Sequence, residues 1–117
     1  MSIVKIWHNP RCSKSREAMS ILEENNCESD VVEYLKTTLD AKEIKTTLGM
    51  LGLSARELMR TKEEVYQELN LADENSEEEL IFAMVKNPIL IERPVLFKNE
   101  KAIIGRPTSI IANFINS

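Results

Sequence analysis

The chain has 117 residues, 43% of them hydrophobic and 29% charged, with 15 Lys and Arg against 19 Asp and Glu for a formal charge of −4. This is globular composition, enough for one domain over residues 1–117 with a core of its own, and it excludes a disordered or collagen-like chain. A mildly acidic chain also lacks the basic face that sequence-independent nucleic-acid binding needs, and no apolar run approaches the roughly 18 residues of a membrane span.

The opening Met-Ser-Ile-Val-Lys-Ile lacks the charged-then-apolar layout of a signal peptide, so the expected location is cytoplasmic. Ile3–Trp7 is a β-branched run that stops at His8-Asn9-Pro10, which predicts a strand and then a turn. From Cys12 onward the apolar period becomes helical, with Ala18, Met19, Ile21 and Leu22 on one face and a stop near Asn25-Asn26. Val31–Leu35 predicts a second strand. The middle, about residues 40–87, reads as helical. Asp40 with Glu43, Ser54 with Glu57 and Ser76 with Glu79 each have the spacing of a capping pair. Val65–Leu69 is a short helix candidate, and the acidic run Asp73–Glu79 reads as a solvated loop and helix start, suited to the positive end of a helix dipole. Pro88 ends the last of these helices. Pro94–Phe97 and Ala102–Ile104 flank a polar turn and predict a hairpin, and Ser109–Ile115 predicts a closing helix. The order βαβ, helical block, ββα predicts an α/β fold: a small mixed four-stranded sheet flanked by helices, thioredoxin-like, with a helical insertion between its halves.

Two cysteines, Cys12 and Cys27, make no disulfide framework. They stand at opposite ends of the first predicted helix, about 20 Å apart at 1.5 Å per residue. A disulfide allows only about 4.4–6.8 Å between Cα atoms. Cys27, at a helix end with no nearby cation, reads as structural. Cys12 is different. It sits where strand gives way to helix, and a helix N-terminus offers free N–H groups and about half a positive charge. Both lower a thiol's pKa and attract anions. Arg11, Lys14 and Arg16 add local positive charge to an acidic chain, and Ser13 and Ser15 offer hydroxyls. His8, four residues earlier, is a candidate for electrostatic help or proton transfer, but one histidine without clustered partners predicts no metal site. Arg60, Arg93 and Arg106 stand at breaks in the pattern, beside Pro94 and Pro107 in the last two cases, and guanidinium groups suit tetrahedral oxyanions.

With these residues in view, the chain resembles the glutaredoxin-dependent arsenate reductase family (ArsC-like, thioredoxin fold) over nearly its whole length. The matching elements are His8-Asn9-Pro10-x-Cys12-x-x-Ser15-Arg16, Tyr34-Leu35, Leu58-Met59-Arg60, Pro88-Ile89-Leu90-Ile91-x-Arg93-Pro94 and Arg106-Pro107. The resemblance implies that Cys12, as thiolate, attacks arsenate, that His8 and Ser15 favour the thiolate, and that Arg60, Arg93 and Arg106 hold the oxyanion. It implies a cis proline at Pro94 beside the site. It also implies glutathione as co-substrate and glutaredoxin as partner, no bound cofactor, and release of arsenite. Regulators of the Spx type, which share this fold and bind RNA polymerase, are an alternative. They typically carry C-x-x-C where this chain has Cys12-Ser13-Lys14-Ser15. A related thiol protein acting on another substrate, by plain thiol–disulfide exchange for instance, is a further alternative. A C-x5-R phosphatase loop is excluded because Ala18 stands six residues after Cys12.

Overall fold

The structure, a computed structural model, describes residues 3–74 and 76–116. Met1 and Ser2, which begin the stretch read for a leader, Asn75, within the acidic run 73–79, and Ser117 lie outside the described residues. The chain forms two compact units, one of residues 1–37 and 93–117 and the other of residues 38–92.

The first unit holds the sheet. Strands β1 (Ile3–Trp7), β2 (Glu28–Val32), β3 (Val95–Lys98) and β4 (Lys101–Ile104) lie in the order β2-β1-β3-β4. The β1–β2 pair is parallel, with Ile3 opposite Glu28 and Trp7 opposite Val32, while β1–β3 and β3–β4 are antiparallel. A parallel pair needs a crossover, and helix α1 (Ser13–Glu24) supplies it. Helix α6 (Ile111–Ile115) follows a 3₁₀ turn at Thr108–Ile110. Period-two alternation turns Val4, Ile6 and Leu96 to one face, where Ala18 and Leu22 of α1 and Ile111 and Ile115 of α6 close a core. This is the thioredoxin-like α/β arrangement that the element order predicts.

Two boundaries differ from the sequence reading. The second strand runs over 28–32, not 31–35, because its register is set by β1, and Glu28, Ser29 and Asp30 can be exposed on a sheet edge. Tyr34 and Leu35 fall in the turn that follows. Tyr34 is buried there, its ring 6.4 Å from that of Trp7, and Phe97 meets the same indole edge-on at 5.2 Å. The closing helix is shorter than predicted, since its first turn is 3₁₀. The hairpin is a two-residue connection with Asn99 at φ 50 and Glu100 at φ 65, the left-handed pair that matches strand twist.

The second unit contains α2 (Ala41–Leu51), α3 (Ala55–Leu58), α4 (Glu64–Glu68) and α5 (Glu77–Lys86), with 3₁₀ turns at Leu71–Asp73 and Pro88–Leu90. The capping pairs are present as read: Asp40 and Ser54 each close a reciprocal capping box, and Ser76 accepts from Glu79 N–H. Gly52, at φ 68, ends α2 in the left-handed conformation that glycine adopts without cost. Ile44 and Leu48 of α2, Leu58 of α3, and Leu80, Ile81 and Met84 of α5 are buried. Arg56 gathers the chain after α4, donating to Tyr66 Oη at 2.6 Å and to the Leu71 carbonyl at 3.0 Å. No helix among the described residues is long and apolar enough to cross a membrane.

Candidate active site at the N-terminus of the first helix

Cys12 is the N-cap residue of α1, with φ −95 and ψ 125. An N-cap side chain ordinarily accepts from the second or third N–H of the helix. Cys12 makes no such side-chain capping bond, but its sulfur lies close enough to the backbone N–H groups of Lys14 and Ser15 for them to favour the thiolate. Burial pushes the thiol up. The Ser15 N–H, the Arg93 charge, the Lys14 N–H and a hydrogen bond from the Arg93 side chain outweigh it, and the net is a thiol below its ordinary value. No acidic side chain stands in the first turn of α1 to oppose this.

Arg106 joins the same group. Its Nη2 lies 3.5 Å from Cys12 Sγ, and its Nε donates to the carbonyl of Arg93 at 2.7 Å. The two arginines are therefore linked: the backbone of one orients the guanidinium of the other. The segments that carry them meet at the sheet, where Gly105 N–H donates to the Pro94 carbonyl at 2.8 Å. A Cβ at Gly105 would come within 3.0 Å of the Leu96, Ile111 and Pro94 side chains, so a larger residue there makes that packing shift. The Arg93–Pro94 and Arg106–Pro107 peptide bonds are both cis.

His8 and Ser15 are buried and bonded to each other, Nδ1 to Oγ at 2.8 Å. Ser15 Oγ also accepts from Asn9 N–H at 3.0 Å. With that donor already on the oxygen, the hydroxyl proton is available to Nδ1, which fits a neutral ring protonated at Nε2. Burial lowers the His8 pKa, the Glu33 carboxylate raises it and Arg16 lowers it, with a net below 6.5. His8 N–H donates to the Val32 carbonyl at 2.8 Å, Cys12 N–H to the Asn9 carbonyl at 3.0 Å, and Arg11 N–H to Asn9 Oδ1 at 3.0 Å. The hydroxyl of Ser15 thus faces the 8–11 loop, while its backbone N–H faces the sulfur.

The first unit by itself brings together Cys12, His8, Ser15, Arg93, Pro94 and Arg106, with Cys12 and Arg106 meeting across 94 positions of sequence. Arg60 belongs to the second unit. It follows α3, and its backbone N–H donates to the Leu90 carbonyl at 2.7 Å. Its guanidinium lies 3.4 Å from Glu63 and 3.4 Å from the Ile89 carbonyl. The sequence placed Asn9 only in a turn and a motif, with no role of its own, and gave Glu33 no role. Asn9 was legible as half of an Asn-Pro turn, a pattern in which the amide side chain bonds its own backbone. Glu33 carries no local signal, because only the β1–β2 register sets it near His8. Among the described residues no group of three or more His, Cys, Asp or Glu is placed to hold a metal ion.

A cysteine cap on a helix that crosses between parallel strands, with two arginines delivered by the antiparallel half, places a thiol among positive charges. The chain belongs to the ArsC family, whose model matches residues 7–114. It is 56% identical over 114 residues to an uncharacterized protein of Escherichia coli, YfgD, with 96% of each chain covered. It is 48% identical over 109 residues to an arsenate reductase of Neisseria meningitidis, covering 92% of this chain and 93% of that one. Among solved structures, an arsenate reductase from Vibrio cholerae superposes with a TM-score of 0.92 at 43% identity, covering 96% of this chain and 97% of that one.

Proposed function

We propose that this chain reduces arsenate to arsenite, with glutathione as co-substrate and glutaredoxin as the protein that completes the reduction. The observation that carries the reading is the Cys12 sulfur on the α1 N-terminus with the Arg93 charge and Arg106 Nη2 beside it. A thiolate attacking an oxyanion meets like charge, and these groups lower that barrier. They hold the anion's oxygens and stabilise the charge that builds on them during attack.

The chemistry runs as follows in this reading. Cys12 Sγ forms a bond to arsenic, and one arsenate oxygen leaves as water after taking up protons. A glutathione sulfur then displaces a second oxygen in the same way. A glutaredoxin thiol then takes the glutathione sulfur as a mixed disulfide, the electron pair of the broken As–S bond reduces As(V) to As(III), and one water displaces Cys12 from arsenic, releasing arsenite and returning the thiol. In sum, one arsenate and two thiols give one arsenite, one disulfide and one water. Arg93 and Arg106 bind oxygens throughout, and Arg60 is assigned as a third such ligand on the family resemblance. Ser15 and His8 hold the loop from which the thiolate acts. The reaction consumes free thiols, which suits a reducing compartment such as the cytoplasm.

The test is the rate of Cys12 alkylation against pH in a Cys27→Ser background, with and without arsenate. The expected result is a profile displaced below that of an ordinary thiol, and protection by arsenate. In a coupled assay with glutathione and glutaredoxin, Cys12→Ser is expected to abolish arsenate turnover. An ordinary thiol profile without protection, or a Cys12→Ser variant as active as the parent, overturns the proposal.

A further inference from the structure

Cys27 is at the far end of α1 from Cys12, beyond the 12 residues of that helix. That is about 20 Å at 1.5 Å per residue, too far for it to serve as a second thiol at the site. A second thiol must therefore come from outside and be held where its sulfur can reach Cys12. Beside the loop that delivers Cys12 lies a cleft of about 230 Å³, open to solvent and lined by His8, Arg11, Glu33, Leu35 and Lys36. The loop residues Asn9 and Pro10 line it as well. The Asn9 carbonyl receives the Cys12 N–H at 3.0 Å, so a residue that lines the cleft is bonded directly to the backbone of Cys12.

The lining has a definite chemical sense. Two cations, Arg11 and Lys36, stand with one carboxylate, Glu33. Glu33 and Lys36 pair at 3.5 Å, with side chains 42% and 79% exposed. An exposed pair of this kind is held weakly and is open to a better-matched partner. Leu35, exposed, adds an apolar side chain to the lining. One carboxylate beside two cations complements an α-amino acid zwitterion, whose ammonium seeks Glu33 and whose carboxylate seeks Lys36 and Arg11. The volume suits one amino-acid residue better than a whole tripeptide.

We propose that this cleft is the subsite for the γ-glutamyl end of a small peptide thiol of the glutathione type. The inference rests on the reductase reading given above, because that reading is what requires an external thiol at Cys12. Of the two ends of glutathione, only the γ-glutamyl end carries both an ammonium and a carboxylate. The glycine end carries a carboxylate alone and leaves Glu33 without a counterpart. The cysteine of the peptide, one residue from the bound end, then extends along residues 9–11 toward Cys12.

The test uses the full chain and unreactive probes. S-methylglutathione, S-methyl-γ-glutamylcysteine and S-methylcysteinylglycine are titrated separately into ¹⁵N-labelled protein, as is free glutamate. The expected result is that the first two shift amide signals at residues 33–36 and Arg11. Lys36→Glu is expected to weaken both by about tenfold, the scale of one charge-assisted contact, and to leave cysteinylglycine binding unchanged. Lys36 is exposed, so the variant is expected to melt with the parent. Shifts confined to other parts of the chain, or an affinity for S-methylglutathione indifferent to Lys36→Glu, overturn the assignment. Equal loss for all three peptides assigns the cleft to a carboxylate in general and overturns the γ-glutamyl reading. Free glutamate binding as tightly as the peptides makes it an amino-acid site and overturns it too. Arsenate protection of Cys12 is read in a separate experiment, so failure of the reductase reading and failure of this subsite give different results.

Discussion

Replacing Ser15 by alanine isolates the part of the site that works through the backbone. The side chain is fully buried and makes two hydrogen bonds, to His8 Nδ1 at 2.8 Å and from Asn9 N–H at 3.0 Å. Removing one oxygen opens almost no cavity, so the packing term is small. It does leave a buried imidazole nitrogen and a part-buried N–H without their partner, at about 1–3 kcal/mol for each stranded group. Because Asn9 is only half-buried, water can recover part of its bond, and the sum is about 2–4 kcal/mol. For a chain of this size that is a drop in melting temperature of roughly 10 °C. The assay is thermal unfolding by circular dichroism of Ser15→Ala and the parent at pH 7.5, with the Cys12 alkylation profile measured below the transition. The α1 backbone N–H groups that face Cys12 remain in the variant, so the profile is expected to stay below that of an ordinary thiol even though the protein is less stable. A melting temperature within about 3 °C of the parent, together with an alkylation profile moved up to that of an ordinary thiol, would refute the reasoning. It would mean that the hydroxyl serves the sulfur and not the loop.

Three further outcomes follow from the same geometry. His8 has a folded pKa below its ordinary 6.5, so the folded state binds its proton less readily than the unfolded chain does. Its contribution is therefore complete above pH 6.5 and is lost as pH falls through the folded pKa. The melting-temperature advantage of the parent over His8→Gln should narrow as pH drops below 6.5, and a constant gap from pH 8 to 5 contradicts a neutral, buried ring. Gly105→Ala places a Cβ 2.9 Å from Leu96 and 3.0 Å from Ile111 and Pro94, at a cost of about 1–3 kcal/mol. Urea unfolding measures it, and an unchanged midpoint would mean that the 94–111 packing is loose. Arg56→Ala strips donors from Tyr66 and from the Leu71 carbonyl, and amide exchange over residues 71–74 is expected to speed up while that of β1 stays as in the parent; equal acceleration in both would contradict a local role.

The sequence by itself determined most of the elements and singled out Cys12. Strand and helix periods, three capping pairs and a few prolines mark most boundaries, because each of those signals acts within one turn or one pleat of chain. The Cys12 segment was legible for the same reason, since a cysteine at a strand-to-helix junction carries its helix N-terminus with it. The extent of the second strand was not legible, because Glu28, Ser29 and Asp30 become a strand only by pairing with Ile3, Val4 and Lys5. Nor was the electrostatic setting of the sulfur. Arg93 and Arg106 are more than 80 positions from Cys12, and only the antiparallel placement of β3 beside β1 and of β4 beside β3 delivers them. The division of labour within Ser15, with N–H toward the thiol and hydroxyl toward His8, was likewise decided by tertiary structure. A side chain's partner depends on which strand lies across from it, and composition and spacing carry no record of that.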